Sequence, residues 1–211
     1  PCGHLPPTGF VNATQTHDQV GNRALGERLL SLADPQGVQT AFALLLVAPF
    51  VPMIFMGEER GATTPFLFFA DFTGDLAQAV RDGRAAEFAG IASLGSGVPD
   101  PLDPDTFARS RLDWRDNAQA RDWLALTARA LAFRRDHVVP LLKSGPGAPA
   151  QVTRHGPASL AAAWPFHAGK LDLRVSLGQP APDLQATGGA AFSLGRIGTD
   201  PFALSVSTRS P

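Results

Sequence analysis

One stretch limits the possible folds more than any other: a helix-length apolar segment, Gln36 to Ala48, followed after Pro49 by the apolar run Met53-Ile54-Phe55-Met56. From Ala41 the helical segment is apolar nearly all round, as expected of a helix buried on every side. Asp34-Pro35 before it supplies an N-cap and a proline at the first helical position. The Met53–Met56 run has strand length and no alternation, which predicts a strand covered on both faces, as in parallel sheets. A second β-leaning run, Phe10 to Gln15, precedes the helix. Both runs end in polar clusters, Thr16-His17-Asp18-Gln19 and Gly57-Glu58-Glu59-Arg60-Gly61. The order strand, polar loop, helix, strand, polar loop predicts a βαβ unit with acidic groups past the C-terminal ends of its strands. Barrels and doubly wound sheets build their sites there.

The apolar segment is interrupted by Pro49 and Pro52 and is shorter than the roughly 20 residues a bilayer span needs, so no membrane partner is expected. Lys and Arg total 18 against 19 Asp and Glu, a formal net charge of −1 that lacks the cation surplus of a nucleic-acid binder. The 211 residues are 44% hydrophobic, enough for a buried core, and the single cysteine, Cys2, excludes an internal disulfide framework.

Further along, Pro65 to Phe69 reads as another strand or a loop over the site, Asp75 as the cap of a helix reaching about Phe88, and Gly95 to Asp105 as loop. An amphipathic helix is predicted over Arg115 to Arg135, with Trp123, Leu126, Ala130 and Phe133 on one face. Arg134 and Arg135 stand where they would suit that helix's dipole. Beyond Pro140, Glu is absent and short runs take over: Ser159–Trp164, Leu171–Leu177, Ala190–Leu194 and Phe202–Val206. These predict a small antiparallel β-domain. The boundary near Lys143-Ser144-Gly145-Pro146-Gly147 divides the chain into 1–143 and 144–211.

His17-Asp18 is the first candidate for chemistry. A carboxylate can accept sugar hydroxyls and stabilise a developing cation, and a neighbouring imidazole can donate to a second hydroxyl. An oxocarbenium-like transition state calls for such groups. The competing local role for Asp18 is an Asx-turn or helix cap. In Glu58-Glu59, one carboxylate could line a cleft while the other pairs with Arg60 or Arg23. His4, His137, His155 and His167 show no metal spacing. Neither Gly95-Ser96-Gly97 nor any other stretch forms a nucleophile elbow or a phosphate loop.

The run Gln15-Thr16-His17-Asp18-Gln19-Val20-Gly21-Asn22-Arg23-Ala24-Leu25-Gly26-Glu27-Arg28-Leu29 resembles the segment after the seventh barrel strand of maltooligosyl trehalose trehalohydrolases, in the α-amylase superfamily. Pro52 to Glu59 resembles their eighth strand and its loop, and Thr64 to Asp71 the aromatic segment that follows. Ala79 to Arg84, Val98 to Pro101 and Ser110 to Trp114 continue the match in order, over residues 6–142. Two positions depart: Thr16 stands where Asn usually precedes His-Asp, and Arg60 where Trp commonly follows the two glutamates.

The resemblance implies α/β plus β architecture: the last two βα units of a (βα)8 TIM barrel, then a small antiparallel β-domain. It implies hydrolysis of the α-1,4 bond next to the trehalose end of maltooligosyl trehalose, with release of trehalose, and a cytoplasmic location; no motif implies a metal or an organic cofactor. Asp18 matches the transition-state-stabilising carboxylate, and His17, Gln19, Val20, Gly21 and Asn22 match substrate-binding positions. Arg23, Glu58 and Glu59 would support them. The nucleophile and the acid/base lie on earlier strands of the family, so a chain beginning at Pro1 is expected to be inactive alone. A glucan branching or debranching enzyme of the same superfamily, and a non-catalytic carbohydrate-binding module, are the alternative readings.

Overall fold

The computed structural model describes residues 5–90, 97–186 and 191–209. Cys2, His4, Gly95, Ser96 and Ala190, named above, lie outside the described residues. The architecture is mixed α/β: among the described residues, a small parallel pair of strands, six α-helices and a separate antiparallel sheet. The described chain forms two compact units, residues 1–14, 34–53 and 121–211, and residues 15–33 and 54–120.

In the first unit, β1 (Val11–Asn12) pairs in parallel with β2 (Val51–Pro52), joined in the chain through helix α2 (Pro35–Val47). Asp34 caps α2, its Oδ1 accepting from the amides of Gln36 and Gly37 at 2.8 and 3.1 Å, and Pro35 occupies the first turn. Val38, Phe42, Ala43, Leu45, Leu46 and Val47 of this helix are buried.

The strands are shorter and earlier than the apolar runs suggest. Pairing covers Val51–Pro52, and the chain continues without strand structure through Met53–Met56, of which Met53, Ile54 and Met56 are exposed. A continuous apolar run carries no period and so cannot place a register, and Pro52, which has no N–H to give, is tolerated at an end of the ladder.

The helix predicted over 115–135 is α5 (Ala118–Phe133), and Trp123, Leu126, Ala130 and Phe133 are all buried. It runs into a π-helical turn, Arg134–Val138, and then α6 (Val139–Ser144). Arg134 does not serve its own helix. Its guanidinium donates to the carbonyls of Leu46 (3.1 Å), Ala48 (2.6 Å) and Phe50 (2.5 Å), capping the C-terminus of α2. Burial lowers the pKa of this side chain below the usual arginine value.

The antiparallel sheet comprises β3 (Gln151–Arg154), β4 (Ser159–Phe166), β5 (Gly169–Leu177), β6 (Phe192–Leu194) and β7 (Phe202–Arg209), in the order β3-β4-β5-β7-β6. Leu171, Leu173, Val175, Leu204 and Val206 form its buried face, and Phe50 meets Trp164 edge-on with centroids 6.0 Å apart. Gly37 lets α2 approach β7: a Cβ there would lie 2.7 Å from the Phe202 ring.

The second unit holds α1 (His17–Gly21), α3 (Gly74–Phe88) and α4 (Pro104–Ser110). The N-cap of α3 is Thr73 rather than Asp75, which lies in the first turn. Residues 65–69 form no strand.

Candidate functional site

The polar cluster after β1 is not a loop but the start of α1. Thr16 is its N-cap, the hydroxyl accepting from Gln19 N at 3.5 Å. Thr16 thereby does the capping that was the competing role for Asp18 and leaves the Asp18 carboxylate outside the cap. His17 Nε2 lies 3.2 Å from Asp18 Oδ1, with side chains 71% and 74% exposed. Gln19 and Asn22 are also exposed, whereas Val20 and Gly21 are buried. The six positions therefore divide: four present side chains to solvent, and two pack inward and hold the helix in place.

A five-residue helix has little stability of its own, and two buried arginines hold the structure around it. Arg84, on α3, donates to the carbonyls of Gly21 (3.0 Å), Arg23 (2.8 Å) and Asn22 (3.5 Å), placing positive charge at the C-terminal end of α1. Its guanidinium also pairs with Glu87 at 2.9 Å and lies over the rings of Phe68 and Phe88. Arg28 is completely buried. It donates to the carbonyls of Thr64 (2.5 Å) and Met56 (2.8 Å) and lies 4.9 Å from the centroid of the Phe55 ring. Desolvation lowers its pKa, and the charges of Glu58 and Glu59 oppose that shift.

Glu58 is buried, and its two oxygens are used separately. Oε1 accepts from Gln15 Nε2 at 3.1 Å and Oε2 from Phe55 N at 2.7 Å. Gln15 Oε1 in turn accepts from Leu29 N at 3.0 Å. This bridge ties the segment after β1 to the segment after β2. Glu59 Oε2 accepts from Gly57 N at 2.9 Å. Arg23 pairs with Glu27 at 3.3 Å, and Arg60 donates to the carbonyls of Trp114 and Arg115.

Sequence reasoning missed Gln15, Arg28 and Arg84 as determinants of this region. The only signal was that Gln15 and Arg28 bracket the His-Asp run. Among the described residues, no three His, Cys, Asp or Glu side chains gather where they could hold a metal ion, and no helix is long and apolar enough to cross a membrane.

A parallel pair of strands joined through a helix, with a following antiparallel sheet, matches one class of known structures. A crystal structure from Salmonella typhimurium assigned as an alpha amylase superposes with a TM-score of 0.84 at 42% identity, covering 96% of this chain and 35% of that one. The fold is that of glycoside hydrolases of the α-amylase superfamily. Malto-oligosyltrehalose trehalohydrolases from Arthrobacter ramosus (44% identical over 135 residues) and Mycobacterium tuberculosis (37% over 164 residues) cover 63% and 77% of this chain. Over these stretches the sequence is trehalohydrolase-like. The chain spans about a quarter of those relatives' length, 24% and 25%. No family model matches it.

Proposed function

We propose that this chain forms part of an enzyme that hydrolyses the α-1,4-glucosidic bond next to the trehalose end of maltooligosyl trehalose, releasing trehalose. The substrate is maltooligosyl trehalose or a closely related α-glucan. The observation that carries this reading is the exposed carboxylate of Asp18, relieved of capping by Thr16 and standing beside His17.

A retaining glycosidase needs a nucleophile and an acid/base on either side of the scissile bond, and positive charge builds on the sugar ring between them. Asp18 serves as a third carboxylate. It accepts hydrogen bonds from the ring hydroxyls, and its negative charge interacts more favourably as the oxocarbenium-like state develops, so it stabilises the transition state more than the bound substrate. His17 donates to a neighbouring hydroxyl and, with Gln19 and Asn22, orients the ring. Val20 and Gly21 act from inside by seating α1, with Arg84 closing its end. Arg23, Glu58 and Glu59 shape the surrounding backbone. The nucleophile and acid/base are supplied by sequence other than these 211 residues, and the chain by itself does not turn over substrate. The division at 143/144 into a barrel portion and a closing β-domain, and a cytoplasmic location, belong to the same proposal.

The test is a hybrid in which residues 6–142 replace the matching segment of the Arthrobacter ramosus trehalohydrolase. Asp18→Asn keeps the shape and removes the charge. Trehalose release by this variant should show kcat reduced by roughly a hundredfold or more with KM little changed. An unchanged kcat rejects the role of Asp18.

A further inference from the structure

The segment that carries His17, Asp18, Gln19 and Asn22 returns to its own starting point. Gln15 and Leu29 stand at its two ends, and Gln15 Oε1 accepts from Leu29 N at 3.0 Å. Residues 16–28 thus form a compact loop closed at its base by a side chain, in the manner of an Ω-loop. The closing side chain is itself held. Gln15 Nε2 donates to Glu58 Oε1 at 3.1 Å, and Glu58 Oε2 accepts from Phe55 N at 2.7 Å. Arg28, next to Leu29, donates to Met56 O at 2.8 Å, which leads back to the same segment. The bonds make a closed ring through Gln15, Glu58, residues 55–56 and residues 28–29, all of them within the second unit.

Gln15 and Glu58 are both buried, so the polarity of each atom in the ring matters. A buried donor or acceptor without a counterpart is costly, because water cannot replace the lost bond. Position 15 must accept from an amide and donate to a carboxylate at once. A primary amide does both; a carboxylate has no proton to give, and a guanidinium or ammonium has no acceptor. Position 58 must accept at both of its oxygens. The two side chains are matched as donor and acceptor, not by size alone.

The loop is also gripped away from its base. Arg84 takes the carbonyls of Gly21, Asn22 and Arg23. Gly26, at φ +59°, lays its backbone against Phe66, where any Cβ would run into the Phe66 carbonyl, and Phe66 N donates to Gly26 O at 2.9 Å. Between base and grips, α1 keeps its own bonds, Val20 N to Thr16 O at 3.1 Å and Asn22 N to Asp18 O at 3.0 Å. Only Thr16 and His17 separate Asp18 from Gln15, so a shift at the base is carried to the carboxylate.

We propose that Gln15 is a positioning residue for the hydrolysis: its amide, held by Glu58, closes the loop that bears Asp18 and sets where that carboxylate stands against the sugar ring. This inference rests on the role of Asp18 given above. Misplacing a group that stabilises the transition state by about 1 Å costs up to roughly a hundredfold in rate. Binding shared among several contacts suffers less.

A polarity swap in the hybrid enzyme tests it. Gln15→Glu removes the donor and sets two carboxylates against each other. Glu58→Gln brings two NH2 groups face to face. Each alone should lower kcat roughly tenfold to a hundredfold, with KM changed by less than about threefold. In the variant carrying both, the amide introduced at position 58 donates to the carboxylate introduced at position 15. The second oxygen of that carboxylate accepts from Leu29 N, and the new amide oxygen accepts from Phe55 N. The ring closes again with one bond reversed, and kcat should recover to within about threefold of the parent hybrid. Assays are run well below the lowest melting midpoint, so that unfolding does not enter kcat. In the 211-residue chain, exchange of the Val20 and Asn22 amides should follow the same cycle, faster in each single variant and restored in the double one.

Single variants that melt earlier but keep kcat would show a purely structural role and overturn the assignment. So would single variants that raise KM as much as they lower kcat, or a double variant no better than the poorer single one. If neither single variant folds, the double variant decides: turnover near that of the parent supports the assignment, and none overturns it. A reduced kcat in Asp18→Asn beside an unchanged one in Gln15→Glu removes the role of Gln15 alone, whereas an unchanged kcat in Asp18→Asn removes the hydrolytic reading and this inference together.

Discussion

Replacing Arg28 by Met is the sharpest test of how the region around α1 is held. Methionine keeps much of the apolar stem and removes the guanidinium. Two charge-assisted hydrogen bonds, to Thr64 O at 2.5 Å and Met56 O at 2.8 Å, disappear, and two inward carbonyls lose their donor. Such bonds contribute about 1.5–3 kcal/mol each. The positive charge that faces Glu58 and Glu59 goes as well. Gln15 and the Phe55 amide continue to satisfy Glu58, so the terms do not simply add, and a local loss of about 4 kcal/mol is expected.

Amide hydrogen exchange on the 211-residue chain reads this loss where it occurs. The Leu29 and Phe55 amides, bonded to Gln15 Oε1 and Glu58 Oε2, should exchange roughly a thousandfold faster, since each 1.4 kcal/mol is tenfold. Amides of β5 in the other unit should keep their protection. The variant carrying both Arg28→Met and Glu58→Gln should lose about 1–3 kcal/mol less than the sum of its parts. Exchange accelerated less than tenfold at Leu29 and Phe55 would show that the guanidinium does not hold this region and refute the reasoning.

Two further outcomes can be checked directly. Arg134→Met leaves the carbonyls of Leu46, Ala48 and Phe50 without their donor and should destabilise the chain by about 2–4 kcal/mol, a fall in Tm of roughly 6–12 °C by circular dichroism. A smaller change than 2 °C would remove the cap from the account. The Asp113 carboxyl, hydrogen-bonded first by the Arg115 side chain and then by its amide, is held at about 2 against the ordinary 3.8. Because the folded value is depressed, its contribution to stability is complete above the ordinary value and is lost as pH falls through about 2. Carbon-detected NMR should place the midpoint near 2, and Arg115→Gln should move it upward.

What could be read from the sequence followed periodicity and capping chemistry. Asp34-Pro35 marks the start of α2 because a carboxylate and a proline have defined places at a helix N-terminus, and the 3, 4, 3 spacing of Trp123, Leu126, Ala130 and Phe133 marks the buried face of α5. The same signal, Asp103-Pro104, opens α4 but goes unnoticed, because the residues behind it show no apolar stripe and only Thr106 and Ser110 are buried. β3 is missed because all four of its residues are exposed, so nothing alternates. Thr16 reads as loop because a five-residue helix has no period to detect.

At the site, the His17-Asp18 pair is legible from chemistry, whereas the residues that hold it are not. Arg28 and Arg84 are arginines fully or nearly withdrawn from water, the opposite of what composition predicts for a cation. Their partners are backbone carbonyls, which every residue possesses and no sequence pattern advertises.

The π-helical turn at Arg134–Val138 bears on how such chains diverge. Such a turn accommodates one residue more than an α-helix of the same rise, so the residues after it keep the facing they would have in an uninterrupted helix one residue shorter. A homologue one amino acid shorter at this point would close the turn into regular helix and leave Leu141 in its present burial. A single-codon deletion here would therefore be absorbed where it falls, whereas the same deletion within α5 would turn everything after it by about 100°, a phase error carried through Ser144 into the start of the sheet.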